Sequence, residues 1–115
     1  MAERELPRHA DRRLDEAALR AALQLERLID GLEVDAHRVR FGPYRAQASL
    51  LRDASGETLR RGAIAVRAAL GPGDGLAEVA EPRLVDALRE SLDDVLRVLD
   101  RRAALRGRRG AGDVA

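Results

Sequence analysis

The stretch that decides the fold is LDEAALRAALQLERLIDGL, residues 14–32. Six of its apolar residues follow one another at alternating steps of four and three: Leu14, Ala18, Ala21, Leu25, Leu28 and Leu32. Because an α-helix turns once every 3.6 residues, this spacing stacks them on one stripe. Asp15 and Glu16 stand in the opening turns, where carboxylates favour the positive helix end. Gly31 suits the left-handed turn that ends a helix. The pattern predicts a first helix over about residues 11–30.

A second amphipathic stretch begins at Pro82 and is expected to reach about residue 106, with Gly107 closing it. Its apolar stripe runs at steps of three and four: Val85, Leu88, Leu92, Val95 and Leu99. Leu84, Leu96 and Val98 widen the stripe beyond a two-stranded coiled-coil seam, so this helix should contact two or more neighbours. We therefore expect two long helices, packed antiparallel, to frame the protein.

The middle of the chain is less uniform. Residues 34–41 are compatible with a short strand or a helix, and Gly42-Pro43 then breaks the chain. Residues 43–54 and 57–70 each carry helical spacing, with Ser55 as N-cap of the second segment. The alternative is a β-hairpin around residues 44–66, with the loop closed by Gly56. Two helices are favoured because the strands would be alanine-rich and would place Ala48 opposite Arg61.

The expected fold is thus mainly α, a small bundle of about four helices, and the alternative is α+β with the central hairpin. The glycines and proline of residues 71–75, GPGDG, predict a loop that continues to Glu81. They lack the preceding strand and the following Lys-Ser/Thr that a phosphate-binding loop requires. We expect a flexible stretch over 1–10, a single helical domain over 11–106 and a disordered tail over 107–115.

Composition excludes several classes of function. The 115 residues contain no cysteine, so disulfides and thiol chemistry are ruled out. All 21 basic residues other than histidine are arginine, which fits a GC-rich codon bias of bacterial type. The net charge of +1 argues against a dedicated nucleic-acid-binding domain. The charged N-terminal stretch does not resemble a signal peptide and no apolar run is long enough to span a bilayer, so we expect a cytoplasmic protein with no membrane contact.

Residues for catalysis or metal binding are scarce. Glu33 and His37 are one turn apart, but a solvated salt bridge explains them better than a shared metal. No Glu-x-x-His step of the di-iron type occurs. Ser49 with His37 would make a nucleophile and base only if the fold happened to bring them together. We predict no catalytic residue, no metal, no cofactor and no enzymatic activity.

The most informative irregularity is apolar residues on polar helix faces. Leu19 and Leu23 lie one turn apart on the side of the first helix opposite its stripe, and Ile64 lies off the stripe of its own helix. A pair of leucines on a polar face indicates a second contact surface. We predict a protein–protein interaction module that binds another protein or itself, most simply as a homodimer. The alternative is that the short central helices cover these leucines within the monomer.

Two other functions stay open from sequence. A small nucleic-acid-binding regulator would use arginines of the third helix or of the C-terminal tail: Arg60, Arg61 and Arg67, or Arg101, Arg102, Arg106, Arg108 and Arg109. An accessory subunit that binds a small ligand would line a pocket with Tyr44, His37 and nearby arginines.

Overall fold

The computed structural model describes the backbone of residues 12–73 and 75–114, and side chains as far as residue 105. Within these ranges the chain forms six helices and no strand. They are α1 (Arg12–Asp30), α2 (Asp35–Phe41), α3 (Tyr44–Asp53), α4 (Gly56–Ala69), α5 (Leu76–Val79) and α6 (Pro82–Val114). The mainly α bundle is confirmed, and the hairpin alternative over 44–66 is wrong.

The four longer helices form a closed ring. Helix α1 packs against α3 and α6, and α4 packs against the same two helices. The direction of α1 relative to α6 follows from its contacts: Arg20 contacts Asp94, and Gln24, one turn further along α1, contacts Ser91, which lies earlier in α6. The two long helices therefore run antiparallel, as expected from sequence.

The predicted stripes form the core. Leu14, Leu25 and Leu28 of α1 and Leu88 and Leu92 of α6 are almost completely buried. Burying apolar surface contributes about 25 cal/mol per Å², which makes these contacts the main source of stability.

The connection between α3 and α4 shows why a helical pair forms instead of a hairpin. Leu51 and Leu59, on either side of the connection, are both fully buried, as the helical spacing requires. Gly56 has a positive φ of 58°, but it uses this conformation to begin α4. Ser55 occupies the N-cap position with an extended backbone, although its hydroxyl makes no capping hydrogen bond. Glycine at this turn is therefore compatible with either fold, and side-chain burial decides between them.

Two short helices were not fully predicted. The ambiguous stretch 34–41 contains helix α2, whose Phe41 is buried in the core. The stretch expected to be a loop as far as Glu81 contains α5, a single helical turn. Leu76 in α5 is completely buried, so a tertiary contact orders a segment whose glycine content predicts a loop.

The last helix does not end near residue 106, where the sequence pattern predicts its end. Helix α6 continues past Gly107 to Val114, through the segment predicted to be a disordered tail. A glycine inside a helix costs only about 1 kcal/mol relative to alanine, and the residues around Gly107 include alanines and arginines, which are strong helix formers. Residues 1–10, predicted to be flexible, lie outside the described residues.

Candidate interaction surface

Leu19 and Leu23 are exposed on the side of α1 that points away from the core. Their exposed fractions are 46% and 48%, and they lie one turn apart. None of the described helices covers them, in contrast to the alternative in which the short central helices do so. An apolar pair is thus accessible on an otherwise polar helix face.

Charged residues continue this face in both directions. At 100° per residue, Arg12, Leu19, Leu23 and Asp30 fall within about 40° of one another around the α1 axis. Arg12 was not recognised from the sequence, although its spacing from the leucines already places it on this side. The α1 outer surface is defined here as Arg12, Glu16, Leu19, Leu23, Arg27 and Asp30.

A shallow cleft of about 330 Å³ lies beside the two leucines. It is lined by Glu16, Leu19, Arg20, Leu23, Gln24 and Arg27. An apolar centre with a charged rim is the usual composition of a protein contact site. The cleft therefore offers a partner a concave contact site beside the accessible leucine pair.

A hydrogen-bonded network fixes the flank of α1 that faces α6. Ser91 is only 2% exposed and lies between the two helices. Arg20 Nε donates to Ser91 Oγ at 3.1 Å, and the same hydroxyl donates to Gln24 Oε1 at 2.6 Å. Arg20 also pairs with Asp94 at 3.3 Å. Satisfied polar groups at a buried position hold neighbouring helices in one orientation.

Two ion pairs fix the opposite flank of α1. Arg45 and Arg52 of α3 bond to Asp30 and Glu26 of α1. The outer surface is consequently presented by a helix that neighbours hold on both sides.

Glu16 and Arg27 behave differently from these residues. Neither side chain forms an ion pair with any other residue in the described part of the chain. Glu16 and Arg20 are four residues apart on α1, a spacing that favours an ion pair. They do not form one, because the Arg20 side chain turns towards Asp94 of α6. Both charges lie on the α6 side of the leucines, and both line the cleft.

Ile64 is also accessible, with an exposed fraction of 50%, but it belongs to another part of the molecule. It lies on α4, which occupies the corner of the ring diagonal to α1. The exposed sides of diagonal helices point away from each other. The structure therefore separates Ile64 from the leucine pair.

The arginines of α4 contact carboxylates. Arg67 Nε lies 2.9 Å from Asp93 Oδ1, and Arg60 pairs with Asp100, so both connect α4 to α6. Arg61 lies 4.0 Å from Glu57 of its own helix. These arginines thus form ion pairs within the bundle.

Arg101 lies in a different environment. A cleft of about 210 Å³ between α1 and α6 is lined by Arg13, Arg20, Arg97 and Arg101, together with two carboxylates. Arg102 is half-buried. The side chains of Arg106, Arg108 and Arg109 lie outside the described residues.

The predicted ligand-pocket residues pack around one aromatic ring. The rings of His37 and Tyr44 lie 6.5 and 6.4 Å from the ring of Phe41. Arg40 lies over the same ring at 4.9 Å. Phe41 is buried in the core and Tyr44 packs against the core, so these two residues attach α2 to the bundle. Among the described residues, Glu33 and His37 form no ion pair, and no group of three or more metal-ligating side chains occurs.

No protein family, no curated protein and no solved structure matches the chain significantly. Within the described residues, no helix combines the length and the apolar character needed to cross a membrane.

Proposed function

We propose that the protein is a non-catalytic protein–protein interaction module and that the α1 outer surface is its contact site. The observation that carries the proposal is the exposure of Leu19 and Leu23 at the centre of a face whose rim is charged. Transfer of these side chains from water into an interface is favourable, and the charged rim would select the partner.

The packing of α1 between two neighbouring helices supports this role. Neighbouring helices hold both flanks of α1 through the Arg20–Ser91–Gln24 network and the ion pairs to α3. A preformed surface loses little conformational entropy on binding, so a small apolar centre is sufficient for a specific contact. A subunit, an adaptor or a small chaperone-like partner in the cytoplasm would act in this way.

Affinity capture with three forms of the protein tests the proposal. The forms are wild type, the double variant L19E/L23E and V39E, in which an exposed valine on α2 changes in the same way. We expect wild type and V39E to retain the same protein, which can be the chain itself, and L19E/L23E to lose it. Retention of an identical set by all three forms would refute the proposal. Circular dichroism establishes that each form remains folded.

The cleft around Arg101 favours one second candidate, a nucleic-acid-binding regulator. Its four arginines outnumber its two carboxylates, and phosphate contacts depend on such an excess. Fluorescence anisotropy with labelled DNA and RNA tests it. A salt-sensitive increase that R97A/R101A abolishes would support this candidate, and an unchanged signal for wild type would refute it.

A further inference from the structure

We infer that the α1 outer surface binds a second copy of this chain, with the two α1 helices antiparallel about a twofold axis. The inference rests on the proposed function and identifies its partner. Three features of α1 carry it: the positions of the leucines, the charges at the two ends of the face, and the pair formed by Glu16 and Arg27.

The leucines fix the centre of symmetry. Leu19 and Leu23 lie two residues before and two residues after Ala21, so a twofold axis level with Ala21 sets each leucine opposite the other leucine of the second copy. Such an interface is isologous, in that the same patch serves both subunits. All four leucines would be buried against one another and beside the two clefts.

The two ends of the α1 outer surface carry opposite charges at equal distances from the symmetry axis. Arg12 lies nine residues before Ala21, and Asp30 lies nine residues after it, both in line with the leucines. The antiparallel arrangement therefore sets Arg12 of each copy opposite Asp30 of the other. Asp30 already bonds to Arg45, and a carboxylate has acceptor sites for two arginines.

Glu16 and Arg27 provide the third match. Glu16 lies five residues before Ala21 and Arg27 lies six residues after it, on the same flank of the leucines. A twofold axis perpendicular to the plane of the two helices places the α6-facing flanks of both copies on the same side of the interface. Glu16 of one copy therefore faces Arg27 of the other, offset by about one residue's rise of 1.5 Å. Like Arg12, neither residue forms an ion pair among the described residues.

The charge pattern also selects the orientation. A parallel pair would set Arg12 opposite Arg12 and Asp30 opposite Asp30, and juxtaposed like charges oppose association. On the remaining flank the antiparallel pair brings Glu26 near Asp15 of the other copy. Arg52 of α3 already bonds to Glu26 and offsets that repulsion.

The expected dimer is weak and reversible. Helix α1 has 19 residues, which corresponds to about 28 Å of helix. One face of such a helix buries less than the roughly 1,600 Å² of a standard stable interface. We therefore expect a monomer–dimer equilibrium that depends on protein concentration and on salt.

Sedimentation equilibrium of charge-exchange variants at low salt tests the arrangement. In E16R or R27E alone, both symmetry-related pairs become repulsive, and we expect the dissociation constant to rise at least about fivefold. In E16R/R27E the charges are exchanged and the pairs are attractive again, so we expect a dissociation constant within about twofold of wild type. E90R, with the same change at an exposed site on α6, is the matched control and should behave as wild type.

The outcomes separate this inference from the proposed function. If wild type stays monomeric at millimolar concentration, the second copy is refuted, although capture of another protein through Leu19 and Leu23 would still support the interaction module. If wild type dimerises but E16R/R27E is no better than either single variant, the antiparallel arrangement is refuted. If E16R and E90R weaken association equally, general repulsion explains the effect and the specific pair is refuted.

Discussion

Replacement of Gly62 by alanine should stabilise the protein, even though this glycine is buried between α3 and α4. A Cβ atom added at Gly62 would lie 3.6 Å from the Cβ of Leu50 and 3.9 Å from Oε1 of Gln47, which is ordinary van der Waals contact. Glycine in a helix interior costs about 0.8–1.0 kcal/mol relative to alanine. Since space is available, we expect the free energy of unfolding to increase by about 1 kcal/mol. For a domain of this size that corresponds to roughly 4 °C in Tm.

Thermal and urea unfolding followed by circular dichroism measure this change. Gly56 supplies the matched control, because its φ of 58° is a conformation in which a Cβ atom is strained, although no heavy atom lies nearby. We expect G56A to lower the free energy of unfolding by about 1 kcal/mol. A decrease in Tm for G62A would show that α3 and α4 approach more closely than the structure indicates, and would refute the reasoning.

Three further predictions concern the packing of α6, each measured by urea unfolding. L92A removes a completely buried side chain and should lower the free energy of unfolding by about 2–5 kcal/mol, whereas a loss below about 1 kcal/mol would place Leu92 outside the core. S91A leaves Gln24 Oε1 without its donor and should cost about 1–2 kcal/mol, and an unchanged stability would contradict the buried network. R67A breaks a partly exposed ion pair to Asp93 and should cost at most about 1 kcal/mol, so a much larger loss would show that the pair is shielded from water.

The long helices could be predicted from sequence because the spacing of their apolar residues defines each helix without information on tertiary contacts. Two stripes of leucine, valine and alanine at steps of three and four define two amphipathic helices, and such helices bury their apolar sides together. The short elements could not be predicted in the same way. Helix α5 exists because Leu76 reaches the core, a tertiary contact that composition does not encode. The end of α6 was also missed, because a single glycine is a weak helix terminator.

The candidate surface was partly predictable for a similar reason. Leu19 and Leu23 stand out because they interrupt a polar face, and the structure leaves them exposed. The symmetric placement of Arg12 and Asp30 is also present in the sequence, but its meaning depends on knowing which neighbours occupy the flanks of α1. Only the structure shows that Arg20 turns to α6 and that Glu16 and Arg27 are left to face outward.

Disulfide cross-linking tests the central claim most directly, because the chain contains no cysteine of its own. Three single variants are needed, L19C, L23C and the control V39C, with the first two mixed in equal amounts under mild oxidation. The antiparallel contact predicts that the mixed dimer joining positions 19 and 23 forms faster than either homodimer, and that V39C cross-links slowest. If L19C and L23C cross-link no faster than V39C, the outer face of α1 is not where two copies meet.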